Sequence, residues 1–435
     1  MRNTNPRPAR PGMPGHPATL WLRGGQVVDV VTGTVSTADV AVFDGRITTV
    51  GTAEPQPGDS VLELEGRYVV PGLVSVHTHL TIVYPFDDTD VNESSAASAL
   101  RAASRARDAL WAGVTTVRTL DEQNRADIEL RRAAVSNGWA LDVPRILASG
   151  RAIGITGGHG KGMACSYADG HDEFLKAARQ ELEAGANHIK VFITGGIAHA
   201  DESFNGAQMT TDEMRAVVRA TREHNTYVVA HAGGGEAIRE AMTVGINRFE
   251  HGYDLDEQTV TEMAANRAYL TPTLSVTSCP QWMLDHGFTQ WQADLAQKVH
   301  VTHLASIQRA FTRAVVKADE LDGDGIRIVA GTDYLPGEPN DGTSCAVKEI
   351  ELLEQAGLPT EAALRAGTWE AARLMGRENE FGSVREGLAG DLLILEEDPT
   401  VTVSALRTIG TVIQAGRLVR SDLTGTQELT KAVFA

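Results

Sequence analysis

Five short runs of this chain constrain its fold more than anything else in it. They are VSVHTH (His77, His79), HIKVFITGG (Lys190), TYVVAHAGG (His231), NRFEHG (His251) and IRIVAGTD (Asp333). Each is an apolar, strand-like stretch with a metal-ligating residue type at or near its C-terminal end. A parallel β/α barrel gathers its functional groups at the C-terminal ends of its strands. Neutral imidazoles and carboxylates bind borderline divalent metals such as zinc. His77 and His79 are two apart on one strand, so both side chains project to the same side.

The intervening sequence supports alternation of strands and helices. SSAASALRAASRARDALWAG is a helical run closed by Gly113, DEFLKAARQELEAG ends in Gly185, and GEAIREAMTVG ends in Gly245. TTDEMRAVVRATREH begins with a capping box, Thr210 to Glu213. VTTVRTL (114–120), PRILASGRAI (144–153) and AYLTPTL (268–274) complete eight strand candidates. The expected fold class is therefore α/β, a (β/α)8 barrel over residues 71–379. Residues 17–70 and 380–425 carry Val/Ile/Leu alternation broken by Gly and Asp-Gly turns. They are expected to pair into one β-sandwich-like domain made from both ends. Residues 1–16, rich in Pro, Arg and Gly, read as a mobile N-terminus.

About fifty residues, 275–325, separate the last two strand candidates. They hold Trp282, Met283, Phe288 and Trp291, then a helical pattern near 292–320. Insertions of this kind often form lids. The aromatic residues either line a pocket or pack the insertion onto the barrel.

Composition excludes several classes. The 435 residues carry 39 Lys+Arg against 57 Asp+Glu, a net charge of −18 with no basic block. Binding to a nucleic-acid backbone needs clustered cations, so no nucleic-acid partner is expected. No run approaches the roughly 18–20 apolar residues of a membrane span, and the N-terminus lacks the apolar core of a signal peptide. A cytoplasmic protein with no membrane partner is expected. Cys165, Cys279 and Cys345 are too few and too scattered for a disulfide framework. They read as core or loop residues.

The order and surroundings of these ligand types resemble the amidohydrolase superfamily. YVVPGLVSVHTHL (68–80) matches its opening motif, and EAALRAGTWEAARLMG…FGSVREGLAGDLLILEEDP its closing helix and return to the β-domain. The segment GANHIKVFITGG resembles the branch with Xaa-Pro dipeptidases, N-acyl amino acid hydrolases and ochratoxin-type amidases. The resemblance spans about residues 18–425. It implies a binuclear divalent centre, zinc in the first instance, with His77, His79, His231, His251 and Asp333 as ligands. It further implies that Lys190 is N-carboxylated and bridges the metals; the alternative is an ordinary Lys in an ion pair beside one metal.

By the same resemblance, hydrolysis of an amide-like C–N bond in a small molecule is expected. Asp333 is the catalytic base that later protonates the leaving nitrogen, and His159, in GITGGHGKG, contacts the substrate. That glycine-rich loop lacks phosphate-loop spacing. Tyr84, Phe86, His199, Met209 and Trp282 are weaker substrate-contact candidates. Met209 stands where carboxylate-selective dipeptidases of this branch carry a Tyr, which shifts the expectation towards aryl amides, phenylureas or carbamates. A cyclic-amide hydrolase or deaminase is disfavoured by Lys190, and a ligand-binding barrel without catalysis by the retention of every ligand position. A homo-oligomer is expected because relatives often self-associate.

Overall fold

A computed structural model describes residues 19–85, 90–135, 141–199 and 202–423. The expected mobile N-terminus and Phe86 lie outside these. The chain is an α/β protein built on parallel strands. We label eight of them β1 (Leu73–Thr78), β2 (Val114–Thr119), β3 (Arg145–Leu147), β4 (Ile189–Phe192), β5 (Val228–Gly234), β6 (Arg248–Asp254), β7 (Tyr269–Thr271) and β8 (Arg327–Ile328). β1 to β3 form one parallel sheet. β4 to β8 run parallel in a second, extended by Ile153–Gly154 and Ser166–Tyr167 beside β4.

Backbone hydrogen bonds stitch the two sheets at both margins. Val76 donates to the Ala330 carbonyl at 3.0 Å, and Asn187 donates to that of Ala148 at 2.7 Å. The single strand expected over 144–153 is two short ones, Arg145–Leu147 and Ile153–Gly154. Gly150, with φ +68°, breaks the run between them, and the Ser149 and Gly150 amides donate to the Asp127 carboxylate at 2.9 and 3.0 Å.

The connecting helices begin and end where side-chain chemistry dictates. Ser94 caps Ser95–Trp111 by accepting from the Ala97 amide. Thr210 and Glu213 close a full capping box on Thr211–Glu223. His171–Ala184 and Gly235–Val244 end on Gly185 and Gly245 in the left-handed conformation that glycine adopts at least cost.

Both chain ends build a separate eight-stranded sheet. Its order is Arg417–Ser421, Ile409–Gln414, Leu392–Leu395, Tyr68–Pro71, Leu20–Asp29, Thr34–Phe43 and Arg46–Gly51, with Ser60–Glu63 also on Leu20–Asp29. The two ends meet where Leu392–Leu395 lies antiparallel to Tyr68–Pro71. Val69 and Leu392 pack in its buried cluster with Leu22, Val40 and Ile413. The Arg145 guanidinium, from β3, donates to Asp391 at 2.9 Å, so the strand that resumes this sheet is tied to the parallel region.

The insertion after β7 folds as Ser275–Ser278, Pro280–Asp285 and a long helix, Gln290–Phe311. That helix stops at Phe311, short of the expected 320. Beyond it, Ile326 donates to Arg313 and Val315 donates to Ile326, so the chain is drawn alongside the entry to β8. Among the described residues, no helix is long and apolar enough to cross a membrane.

Glycine at 331 is a steric requirement of the β1–β8 margin. A Cβ there would lie 2.6 Å from both N and Cβ of His77 and 2.7 Å from Thr271. Gly331→Ala is expected to destabilise the protein by about 1–3 kcal/mol, the usual cost of overpacking. Urea unfolding at unchanged m-value measures it, and an unshifted midpoint would refute the packing account.

Candidate metal centre

The floor of the site is a line of buried charge. Arg118 (β2) and Glu250 (β6) are both fully buried, and the guanidinium donates to Oε1 of Glu250 at 2.6 Å. Glu250 Oε2 lies 2.7 Å from Nδ1 of His77. Burial pushes the Glu250 carboxyl up, yet Arg118 and His77 together hold it far below the usual carboxylate range. It is thus an anion, and Nδ1–H of His77 is the donor. Nδ1 of His79 meets the Asp121 backbone carbonyl at 3.2 Å, and a carbonyl only accepts, so that nitrogen carries its proton as well.

Both imidazoles therefore turn Nε2 inward. Those atoms stand 2.9 Å (His77) and 3.0 Å (His79) from the same oxygen, Oδ1 of Asp333. Two imidazole nitrogens and a carboxylate oxygen converge there on one point, which calls for positive charge among them, a proton or a bound cation. Burial raises the Asp333 carboxyl, but the His77, His79 and His251 imidazoles together outweigh it and the group sits well below its ordinary value. One ligand atom from each of the three residues falls within 4.8 Å of the others. Atoms so spaced can share an ion with bonds of about 2.0–2.2 Å, and the anchored outer nitrogens are what a metal-ligating histidine needs. The donor set fits a divalent metal.

The backbone aims two of these groups. His251 and Asp333 have φ of +74° and +57°, a left-handed conformation that costs a non-glycine residue roughly 1 kcal/mol or more. Simple alternation along β6 would send His251 to the side opposite Glu250; the left-handed residue turns it back. Asp333 is held by its own amide, which donates to the His77 carbonyl at 3.1 Å.

The remaining expected ligands stand in the same place. The His251 ring lies 5.2 Å from that of His77 and 4.4 Å from that of His231. Thr273 gives its hydroxyl proton to the Pro272 carbonyl, so Nδ1–H of His251 donates to Thr273, at 2.7 Å. Nε2 of His231 donates to the Gly195 carbonyl at 3.0 Å. Burial holds both rings well below the ordinary imidazole value. Lys190 is 1% exposed, and burial lowers its amine towards the neutral form. Among the described residues no carboxylate lies within ion-pair distance of that amine.

His159 stacks on His231 at 4.1 Å and, through Nδ1, meets Glu202 at 2.6 Å. Gly196 makes room, because a Cβ there would lie 2.2 Å from the His159 ring.

These groups line one cleft of about 990 Å³, including its open mouth. Its other walls are mainly apolar: Ile82, Met163, Phe192, Ile197, Met283 and Phe288 among them. Four weaker candidates do not line it. Trp282 packs edge-on to Tyr84 at 5.4 Å and against Tyr334 at 4.2 Å, and its indole donates to the Pro339 carbonyl. That cluster anchors the insertion behind the wall. Met209 is buried in the main core. His199 stands behind His159, ring centres 6.4 Å apart. The insertion thus divides its large side chains: Met283 and Phe288 face the cleft, Trp282 packs inside, and Trp291 is exposed.

Sequence reasoning missed Arg118, Glu250 and Glu202. The first two had a signal, since each is a charged residue inside a strand candidate. Glu202 had none.

The model of the amidohydrolase family matches residues 68–419, and the chain belongs to that family. Ochratoxinase of Aspergillus niger is 27% identical over 398 residues, covering 83% of this chain and 78% of that one. A putative prolidase from Bifidobacterium longum superposes with a TM-score of 0.76 at 28% identity, covering 97% and 100% of the two chains. A Xaa-Pro dipeptidase with methionine in its active site gives 0.80 at 26%, covering 93% and 100%.

Glu250→Gln leaves Arg118 buried without its counter-charge and weakens the hold on His77. It is expected to cost about 3–5 kcal/mol of stability and about 10–100-fold in metal affinity. Denaturant titration and chelator competition measure the two, and an unaffected affinity would separate Glu250 from the centre.

Glu349 supports the cleft wall, accepting at 2.8 Å from each of the Leu274 and Ser275 amides. Burial raises its carboxyl from 4.5 to about 7. The folded chain then keeps a proton that the unfolded chain has released between those values. Its contribution to stability falls as pH rises through that window and is level above it. Glu349→Gln cannot titrate, so native-minus-variant unfolding free energy is expected to be larger at pH 5 than at pH 8, by on the order of 3 kcal/mol. Equal differences at both pH values would refute the assignment.

Proposed function

We propose that this protein hydrolyses an amide-like C–N bond in a small molecule. In this reading His77, His79, Lys190, His231, His251 and Asp333 hold two divalent cations, zinc in the first instance, with Lys190 as its N-carboxylate. The observation that carries it is the convergence of two imidazole nitrogens and the Asp333 carboxylate at the floor of a cleft, with Nε2 atoms 2.9 and 3.0 Å from Oδ1. Membership of the amidohydrolase family supports it, as do a curated relative named ochratoxinase and structural neighbours titled prolidase and Xaa-Pro dipeptidase.

The accompanying architecture is a closed (β/α)8 barrel of residues 71–379 with a β-domain of residues 17–70 and 380–425. The hydrogen bonds at both sheet margins support closure.

Cations bound there would acidify a water molecule and polarise the scissile carbonyl. The rest falls to the chain. Asp333, ionised and locked by its left-handed backbone, takes the proton of the attacking water and passes it to the leaving nitrogen. That second transfer is essential, because an amide anion is too basic to depart unaided. His159 is oriented by Glu202 through Nδ1, which leaves Nε2 for the substrate. Burial of Lys190, which lowers its amine towards the unprotonated form, suits carboxylation, since only that form adds CO2, and among the described residues no carboxylate lies within ion-pair distance of it.

Asp333→Asn keeps the shape and removes the base. Turnover on a panel of amides, ureas and carbamates is expected to fall by about 10²–10⁴-fold. Elemental analysis of the native protein is expected to find about two divalent ions per chain, with activity lost on chelation and restored by zinc. Full activity in the Asn variant, or a chelated protein that still turns over, would overturn the proposal.

A further inference from the structure

The cleft's charge inventory bears on the substrate itself. Among the described residues, outside the expected ligands and His159, the lining holds no Lys or Arg; its one further charged residue is Asp121. Residues 86–89 and 200–201, outside the described set, contain no Lys or Arg either. Lys161, between His159 and Met163 in sequence, is exposed and lies outside the lining.

The wall beyond the centre is mainly apolar, with Thr81, Gln123 and Gln292 as uncharged polar members. The segment after β1 supplies Ile82, the loop after β3 supplies Met163, β4 and the loop after it supply Phe192 and Ile197, and the insertion supplies Met283 and Phe288. A carboxylate brought against such a wall loses its hydration and gains no counter-charge from the wall's own side chains. The field of a chain with net charge −18 opposes its approach as well.

We infer that the substrate is an uncharged amide, carbamate or urea whose amine side carries an apolar, aryl-sized group and no carboxylate. This rests on the hydrolytic reading above and narrows it. Water adds across the C–N bond: its oxygen goes to the carbonyl carbon, and a proton accompanies the nitrogen into the released amine. The apolar amine substituent lies against Met283 and Phe288, and aromatic contact with Phe288 adds to the area it buries.

The test is a matched pair offered to the zinc-loaded protein. N-benzoyl-2-phenylethylamine and N-benzoylphenylalanine differ only in the carboxylate; N-phenyl-N′,N′-dimethylurea extends the panel. The neutral amide is expected to exceed the acid in kcat/KM by at least about 100-fold, the equivalent of an unpaired charge costing about 3 kcal/mol. Met283→Arg places a cation on the wall and is expected to narrow that ratio at least tenfold.

Equal or better turnover of the acid overturns the inference while leaving the hydrolytic reading intact. If none of the three is turned over, the hydrolytic reading fails for these bonds, and the inference is judged by binding to the zinc-loaded native protein. Tighter binding of the neutral amide supports it; tighter binding of the acid, or binding of neither, overturns it.

Discussion

The pairing of Arg118 with Glu250 is the interaction on which the site depends. Two opposite charges sit fully buried between strands 132 residues apart in sequence. Neither is tolerable there alone, because the cost of an unpaired buried ion exceeds what any single contact returns. Together they create an anion of fixed position, and that anion decides which nitrogen of His77 carries a proton. The tautomer in turn decides what the cleft presents: Nε2 facing Asp333. A charge pair that looks structural is the first link in the chemistry.

The second constraint is conformational. His251 and Asp333 are both left-handed, and both are held by more than one contact. The Thr332 and Asp333 amides donate to the His77 carbonyl, so the end of β8 is pinned to the end of β1. Gly331 allows that approach by having no side chain. Strain at a few residues is thereby held by backbone hydrogen bonds that involve no reacting group, a common way to pre-organise a site. The wall is set independently, by Glu349 capping the first short helix of the insertion and by Trp282, which packs on Tyr84 behind the wall and on Tyr334 in its lining.

Much of this was legible beforehand. Strand runs ending in His, Lys or Asp announced parallel strands with a polar end, and Ser94, Thr210, Gly185 and Gly245 marked helix boundaries that local chemistry sets. The runs at 144–153 and 292–320 were read as too long. At Gly150 a buried Asp127 captures the amides that would continue the strand. At Arg313–Val315 pairing with Ile326 competes with the helix. Both competitors lie far off in sequence or in another element, beyond the reach of periodicity.

Residue types and their order along the chain settled the alternation of strands and helices, the segregation of two β-rich ends, and the set of metal-ligating side chains at one end of the strands. Tertiary structure alone decided which of these groups face one another and through which atoms. A strand-end side chain is aimed by one or two dihedral angles and by partners such as Glu250, Thr273 and Glu202, none of which periodicity can supply. The same holds for the wall: Trp282 and Phe288 look equivalent in sequence, yet packing buries one behind the cleft and turns the other into it. Side-chain direction is a property of the assembled backbone, and only the assembled backbone reveals it.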